Sequence, residues 1–151
     1  MTLAPRVGWL LSYNYLWADD HRRGAEEGVK NRPCALVAAT RRDGDRIVAI
    51  VTPVTHSPPA DLETAIEIPA VTKARLGLDA QRSWIICNEA NVFAWPGPDL
   101  RAARKTLFLC RAALTSFRVP VSRQTPEASR IKAVRLSKHF PCRTAVAQGR
   151  P

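Results

Sequence analysis

The stretch EEGVKNRPCALVAAT, Glu26 to Thr40, sets an arginine, Arg32, directly before a proline and a long apolar run. Proline fixes one backbone angle and is tolerated at the first position of a strand. Arg32 is therefore held at a strand mouth, rigid on one side and open to solvent on the other. Its guanidinium is a planar fork of donors matched to the oxygens of carboxylate or phosphate. The chemistry this place suits is the gripping of an anion. Glu26 and Glu27 share the loop and offer the plainer alternative, a surface salt bridge. Further on, THSPPAD carries His56, and imidazole is the side chain type suited to moving protons at neutral pH, although a histidine before Ser-Pro-Pro is more often a loop residue. Trp17, Trp84 and Trp95 could stack on bases, whereas tryptophan in a small β domain is more often core. Trp9, inside an apolar run, belongs to the core.

The elements that must position these residues fall in the first hundred positions. VGWLLSY (7–13) reads as a first strand and PCALVAAT (33–40) as a second, starting at Pro33. RRDGD is a turn around Asp43-Gly44, a dipeptide favoured in tight hairpins. RIVAIVTPVT (46–55) is the returning strand, with Pro53 marking an edge or a bulge. HSPPAD is a loop by its prolines. TAIEIP (64–69) is a short strand, and AVTKARLGL is a turn or two of helix ending at Gly77, a good C-cap. RSWIICN (82–88) and NVFAW (91–95) form the last two strands, about a turn at Glu89-Ala90. Five or six short strands joined by tight connections, with one small helix, predict a mainly β domain with short helices, a small barrel or a strongly bent sheet.

An apolar fraction of 46% is enough for a real core. No run approaches the roughly 18 apolar residues that span a bilayer, and VGWLLSYNYLW is too short, polar and aromatic for a signal peptide. A cytoplasmic protein without membrane contact is expected. Cys34, Cys87, Cys110 and Cys142 form no C-x-x-C, and none lies at a zinc spacing from His21, His56 or His139. Reduced, buried thiols are expected, with no metal and no cofactor. The net charge of +10 is unevenly spread. Residues 1–100 carry eleven basic and twelve acidic side chains, while residues 101–151 carry twelve basic ones against Glu127 alone. The body is close to neutral and the tail is a general attractor of nucleic acid or anionic surfaces.

GAEEGVKNRPCALVAAT, then a short hairpin and IVTPVTHS, resembles the opening of the PemK/MazF family of toxin ribonucleases. The later IICNEANVF is similar to that family's strand carrying a Cys-Asp-Gln-like segment, and the likeness spans roughly residues 7 to 95. The resemblance implies a small SH3-like β-barrel, shared with CcdB-type toxins, that forms a homodimer and cuts single-stranded RNA without metal. It also implies a cognate, acidic antitoxin protein as partner, with operator DNA bound only through the toxin–antitoxin complex. The family's catalytic arginine maps onto Arg32 and its threonine onto Thr55. Its first-loop glutamate maps onto Glu26 by the Gly-x-Glu pattern or onto Glu27 by the distance to Arg32. Lys30, Asn31, Trp17 and Ser57 flank these positions and would contact the RNA.

Such cleavage uses the ribose 2′-OH as nucleophile on the adjacent phosphorus, leaving a 2′,3′-cyclic phosphate and a 5′-OH. Arg32 would hold phosphate oxygens and Thr55 would donate to the same group. Arginine is a poor base because it is not deprotonated. The proton would pass to water or another group, for which His56 is the local candidate, although Thr55 and His56 point to opposite faces of an ideal strand.

The sequence departs from the family in its first loop, Asn14 to Asn31, where WADDHRR has no counterpart, and at Asn88-Glu89, where the family has Asp-Gln. It departs again after residue 100. LRAARKTLFLCRAALTSF suggests an amphipathic helix over 101–118, and 119–151 is basic and without a period, as a disordered tail would be. The tail's composition is that of GC-rich coding sequence read out of frame. A frameshift near residue 100, leaving a decayed or inactive toxin, is one expectation. Two others are a gyrase-inhibitor-like toxin that binds a protein target without catalysis, and an RNA-binding module whose tail supplies the affinity.

Overall fold

A computed structural model describes residues 4–42, 46–97, 100–101 and 132–135. It is mainly β, with strands β1 (Leu10–Asn14), β2 (Asn31–Arg42), β3 (Arg46–Thr55), β4 (Ala65–Glu67), β5 (Trp84–Ile86), β6 (Glu89–Trp95), β7 (Leu100–Arg101) and β8 (Lys132–Arg135). Helices are short: α1 (Ala18–Arg22), a 3-10 turn (Leu62–Thr64) and α2 (Ala70–Arg75). All pairings are antiparallel and follow the path β4-β5-β3-β2-β1-β7, with β6 branching from β3 and β8 pairing with β6. Among the described residues this path leaves β4 and β7 as open ends rather than closing into a barrel.

Both faces of the central strands are buried, which is why their sequences read as unbroken apolar runs. Side chains alternate between faces. Leu10, Ala35, Val37, Ile50 and Val54 join Ile68, Leu76 and Ile85 on one side. Leu11, Tyr13, Cys34, Leu36, Ala49 and Val51 join Trp9, Tyr15 and Phe93 on the other. The first cluster is aliphatic and meets the α2 region. The second is aromatic, with Tyr13 stacked on Phe93 at 4.8 Å between ring centroids. Cys34 and Cys87 are buried, and burial pushes the Cys34 thiol well above its ordinary range, so it is inert.

Several details differ from the sequence expectation. Pro33 is the third residue of β2, opposite Ser12, rather than its first. The bulge lies in β2 between Leu36 and Ala38, not at Pro53. β3 pairs with β6 through Val51 and with β5 from Val54, so Thr52 and Pro53 fall in the gap between those partners. A residue with no N–H breaks no ladder on that side. Glu89 and Ala90 already belong to β6, and the break between the last strands falls at Cys87-Asn88. The first loop holds a helix, α1, that no apolar period announces. Gly77 does end α2, with φ +62°. The Leu78 N–H donates to the Lys73 carbonyl at 3.0 Å and the Gly77 N–H to the Ala74 carbonyl at 3.1 Å, a Schellman turn.

The proposed 101–118 helix and 119–151 tail lie outside the described residues, apart from Arg101 in β7 and the strand β8. The Asp43-Gly44 turn lies outside them as well. Among the described residues no helix is long and apolar enough to cross a membrane.

Candidate functional site

β2 and β3 bring the two ends of the suspected site together by register. Cys34 pairs with Pro53, and the same register carried two residues further sets Arg32 opposite Thr55. At this mouth lies a cleft of about 390 Å³, lined by Lys30, Asn31, Arg32, Pro33, Val54, Thr55, His56, Ser57, Lys73, Leu78, Asp79 and Ser83. Its volume is that of a small-ligand site. Six residues singled out from the sequence line it: Lys30, Asn31, Arg32, Thr55, His56 and Ser57. Trp17 lies beside the cleft, under Arg32. Glu26 and Glu27 are exposed in the preceding loop and do not line it.

Arg32 is half-buried. Its guanidinium carbon sits 4.8 Å from the centre of the Trp17 ring, in cation–π range. Its Nε is buried without a hydrogen-bond partner, and among the described residues Arg32 makes no ion pair. The salt-bridge alternative, with Glu26 or Glu27 as acceptor, does not form. Across the mouth, Thr55 Oγ1 accepts from the Ser57 N–H at 3.1 Å, which turns the chain at the strand end and leaves the Thr55 hydroxyl proton to donate elsewhere.

The opposite wall is a closed network that the sequence did not reveal. Lys73 on α2 is only 3% exposed. Its ammonium donates to Asp79 Oδ1 at 2.9 Å, to Ser83 Oγ at 2.6 Å and to the Gln81 carbonyl. Each of its protons has an acceptor, as a buried ammonium requires. The hydrogen bond from Lys73 is the main cause holding the Asp79 carboxyl below its ordinary range, helped by the Gln81 N–H. Asp79 Oδ2 lies 3.0 Å from His56 Nε2. His56 Nδ1 lies 3.1 Å from the Arg82 carbonyl and 3.0 Å from Ser83 Oγ.

Ser83, His56 and Asp79 thus touch in sequence, as in a hydrolytic triad. The likeness is superficial, because Ser83 is 1% exposed and its oxygen already receives the Lys73 proton, so it is no nucleophile. The same contacts bear on His56. A general base needs a ring nitrogen within reach of the proton it takes, and here both nitrogens are engaged within the wall. His56 lines the cleft while both of its ring nitrogens lie within hydrogen-bond distance of wall atoms. Among the described residues no group of three metal-ligating side chains occurs.

Compared with family models, with curated proteins and with solved structures, the chain matches none. The family resemblance therefore rests on the quoted motifs alone.

Proposed function

We propose that the cleft binds a phosphodiester of single-stranded RNA and that the chain is an endoribonuclease toxin of the PemK/MazF kind. The observation that carries this reading is Arg32: a half-buried guanidinium at a cleft mouth, laid on an aromatic ring, with no carboxylate partner among the described residues. Among the described residues, a half-buried cation left without an ion-pair partner, where the buried Lys73 is fully paired, is suited to an external anion. On this reading the bent sheet is a variant of the family's SH3-like barrel, working as a homodimer and neutralised by an acidic antitoxin.

In the reaction the 2′-oxygen attacks phosphorus and the bond to the 5′-oxygen breaks. Arg32 holds two non-bridging oxygens and meets the charge that develops on them, Thr55 donates to one of them, and Lys30 attracts the flanking phosphate. The 2′-OH proton passes to water, and the departing 5′-oxygen takes one from water. Glu26 and Glu27 reach the cleft only if their loop folds over bound RNA. The engagement of His56 favours a second reading, in which the same cleft binds RNA without cutting it.

The test is incubation of a long single-stranded RNA in EDTA with the wild type and Arg32→Ala. Discrete cuts ending in cyclic phosphate, lost in the variant, support the nuclease. Retention of RNA without cuts, weakened in the variant, moves the assignment to a binding module. Neither cutting nor retention by a folded protein sinks both.

A further inference from the structure

Arg32 does not hold its own position. Its guanidinium carbon lies over the Trp17 ring, 4.8 Å from the ring centre, and among the described residues no carboxylate pairs with it. Trp17 in turn is fixed from beneath. Its ring meets Tyr15 edge-on, with centroids 5.2 Å apart and planes at 74°, and it packs against the aromatic core cluster. The backbone on both sides of it is tied to β6. Asn91, fully buried, accepts from the Leu16 N–H at 2.8 Å and returns its amide N–H to the Leu16 carbonyl at 2.8 Å. Glu89 accepts from the Ala18 N–H at 3.2 Å and from the Tyr15 hydroxyl at 3.0 Å. A stretch of four residues, Tyr15 to Ala18, is therefore stapled to a strand three positions away in the sheet path, with Trp17 at its centre.

We infer that Trp17 is a positioning residue for Arg32: it is the floor that fixes the plane of the guanidinium, and Glu89 and Asn91 hold the floor level. This rests on the reading of the cleft as a phosphodiester site and extends it. A planar fork discriminates bidentate phosphate geometry only if its plane is fixed. An aromatic face fixes that plane while leaving the fork's edge open, which a carboxylate partner would not. Trp17 thereby takes up a role different from base stacking. A ring whose face lies under a guanidinium does not offer that face to a nucleobase. The same geometry accounts for α1: the five-residue helix that follows Trp17 keeps the loop's acidic residues Asp19 and Asp20 paired with Arg22 and Arg23 rather than with Arg32.

The experiment is a double-mutant cycle on binding of a short single-stranded RNA carrying 2′-O-methyl groups, which cannot be cut by 2′-OH attack. Wild type, Trp17→Leu, Arg32→Lys and the double variant are compared by fluorescence anisotropy, with a thermal melt of each. Trp17→Leu is expected to weaken binding about ten-fold, and the double variant to bind no more weakly than Arg32→Lys alone. Trp17→Phe, which keeps a smaller aromatic floor, is expected to stay within about three-fold of wild type. Additive losses would mean that Trp17 contacts the RNA itself, and no loss would mean that the floor is idle; either overturns the inference. A second readout needs no RNA. The rate at which phenylglyoxal modifies Arg32, followed by peptide mass, should rise several-fold in Trp17→Leu and stay near wild type in Trp17→Phe. If the wild type binds no RNA, the phosphodiester reading fails, and an unchanged modification rate overturns the positioning role separately.

Discussion

The two walls of the cleft handle positive charge in opposite ways. On the α2 side, Lys73 is buried and every proton of its ammonium is consumed by Asp79, Ser83 and the Gln81 carbonyl, while Asp79 also engages His56. On the β2 side, Arg32 has an aromatic floor and, among the described residues, no carboxylate partner. A satisfied network resists both solvent and ligands, because any newcomer must first break bonds already made. An unpaired guanidinium carries the reverse property: its charge is exposed to whatever enters. One wall maintains shape; the other, on the proposed reading, binds. Lys73, Leu78 and Asp79 also form the partition between this cleft and a second cavity of about 250 Å³ on the far side of the network.

The sharpest way to break this division is Arg32→Ala. Loss of a donor aimed at developing charge is worth about 3 kcal/mol or more, so cleavage should fall by at least ~100-fold. Stability should change by less than about 1 kcal/mol, because the side chain is only half-buried and unpaired. Cleavage rates together with urea titrations check both halves. A variant that lost folding stability in proportion to activity would show that Arg32 is a structural residue after all.

Lys73→Met tests the other wall, and the expected pattern is inverted. Removing a buried ammonium with three acceptors should cost about 2–4 kcal/mol of folding stability, as the loss of charged hydrogen bonds typically does. RNA affinity per folded molecule should shift by no more than about two-fold, since Lys73 has no donor left for a ligand. Urea unfolding and anisotropy on the folded fraction give the two numbers. If affinity collapsed while stability held, Lys73 would belong to the binding wall and the division would be wrong.

The two walls were also unequally legible in the sequence, and for a physical reason. Arg32 and Thr55 sit near the ends of a hairpin whose strands announce themselves as apolar runs. The residue pattern alone bounds β3 at Arg46–Thr55, and once one hairpin register is set, opposite residues follow. The Lys73 wall has no such signal. A lysine in a six-residue helix reads as surface, and only the Schellman turn after Arg75 swings Asp79 back beside it. That contact is made in space between residues whose types are ordinary for helix ends and loops. Trp17 lay between the cases. Its type left core and stacking open, and its place under Arg32 depends on Asn91 and Glu89, some seventy positions away. His56 stands out in the sequence by its chemistry, but chemistry alone does not show which partners already occupy its ring.

Gly28→Ala probes how tightly the binding wall is built, with an effect of intermediate size. A Cβ at Gly28 would stand 2.3 Å from the Tyr15 carbonyl oxygen and 2.6 Å from Asn14 Oδ1. The first of these is backbone stapled to β6 through its neighbours, so the loop carrying Lys30 must move instead. A cost of about 1–3 kcal/mol is expected, as for overpacking elsewhere, with RNA affinity reduced several-fold as Lys30 and Arg32 are displaced. Urea unfolding and anisotropy again separate the terms. An unchanged affinity would mean that the approach of this loop to Tyr15 does not set the position of Arg32.

The smallest effect expected is the pH dependence of the structural wall. In the folded state the Asp79 carboxyl is held below its ordinary range, chiefly by the hydrogen bond from Lys73. A depressed carboxylate stabilises the fold above its unfolded pKa, and that contribution is lost as pH falls through the folded value. Asp79→Asn should therefore be less stable than wild type at neutral pH. The two stability curves should converge as pH drops through the carboxylate range. Glu67 acts with the same sign, because the hydrogen bond from Arg82 lowers it too, so Glu67→Gln serves as a control for a surface ion pair. Its effect should be smaller and should fade in high salt, since an exposed pair is screened, whereas the Asp79 contribution is anchored on a buried ammonium and should persist. Urea midpoints across the acid range, at low and high salt, read all of this from one set of titrations. Curves for Asp79→Asn that run parallel to wild type at every pH would show that the Lys73–Asp79 contact holds the wall by shape rather than by charge.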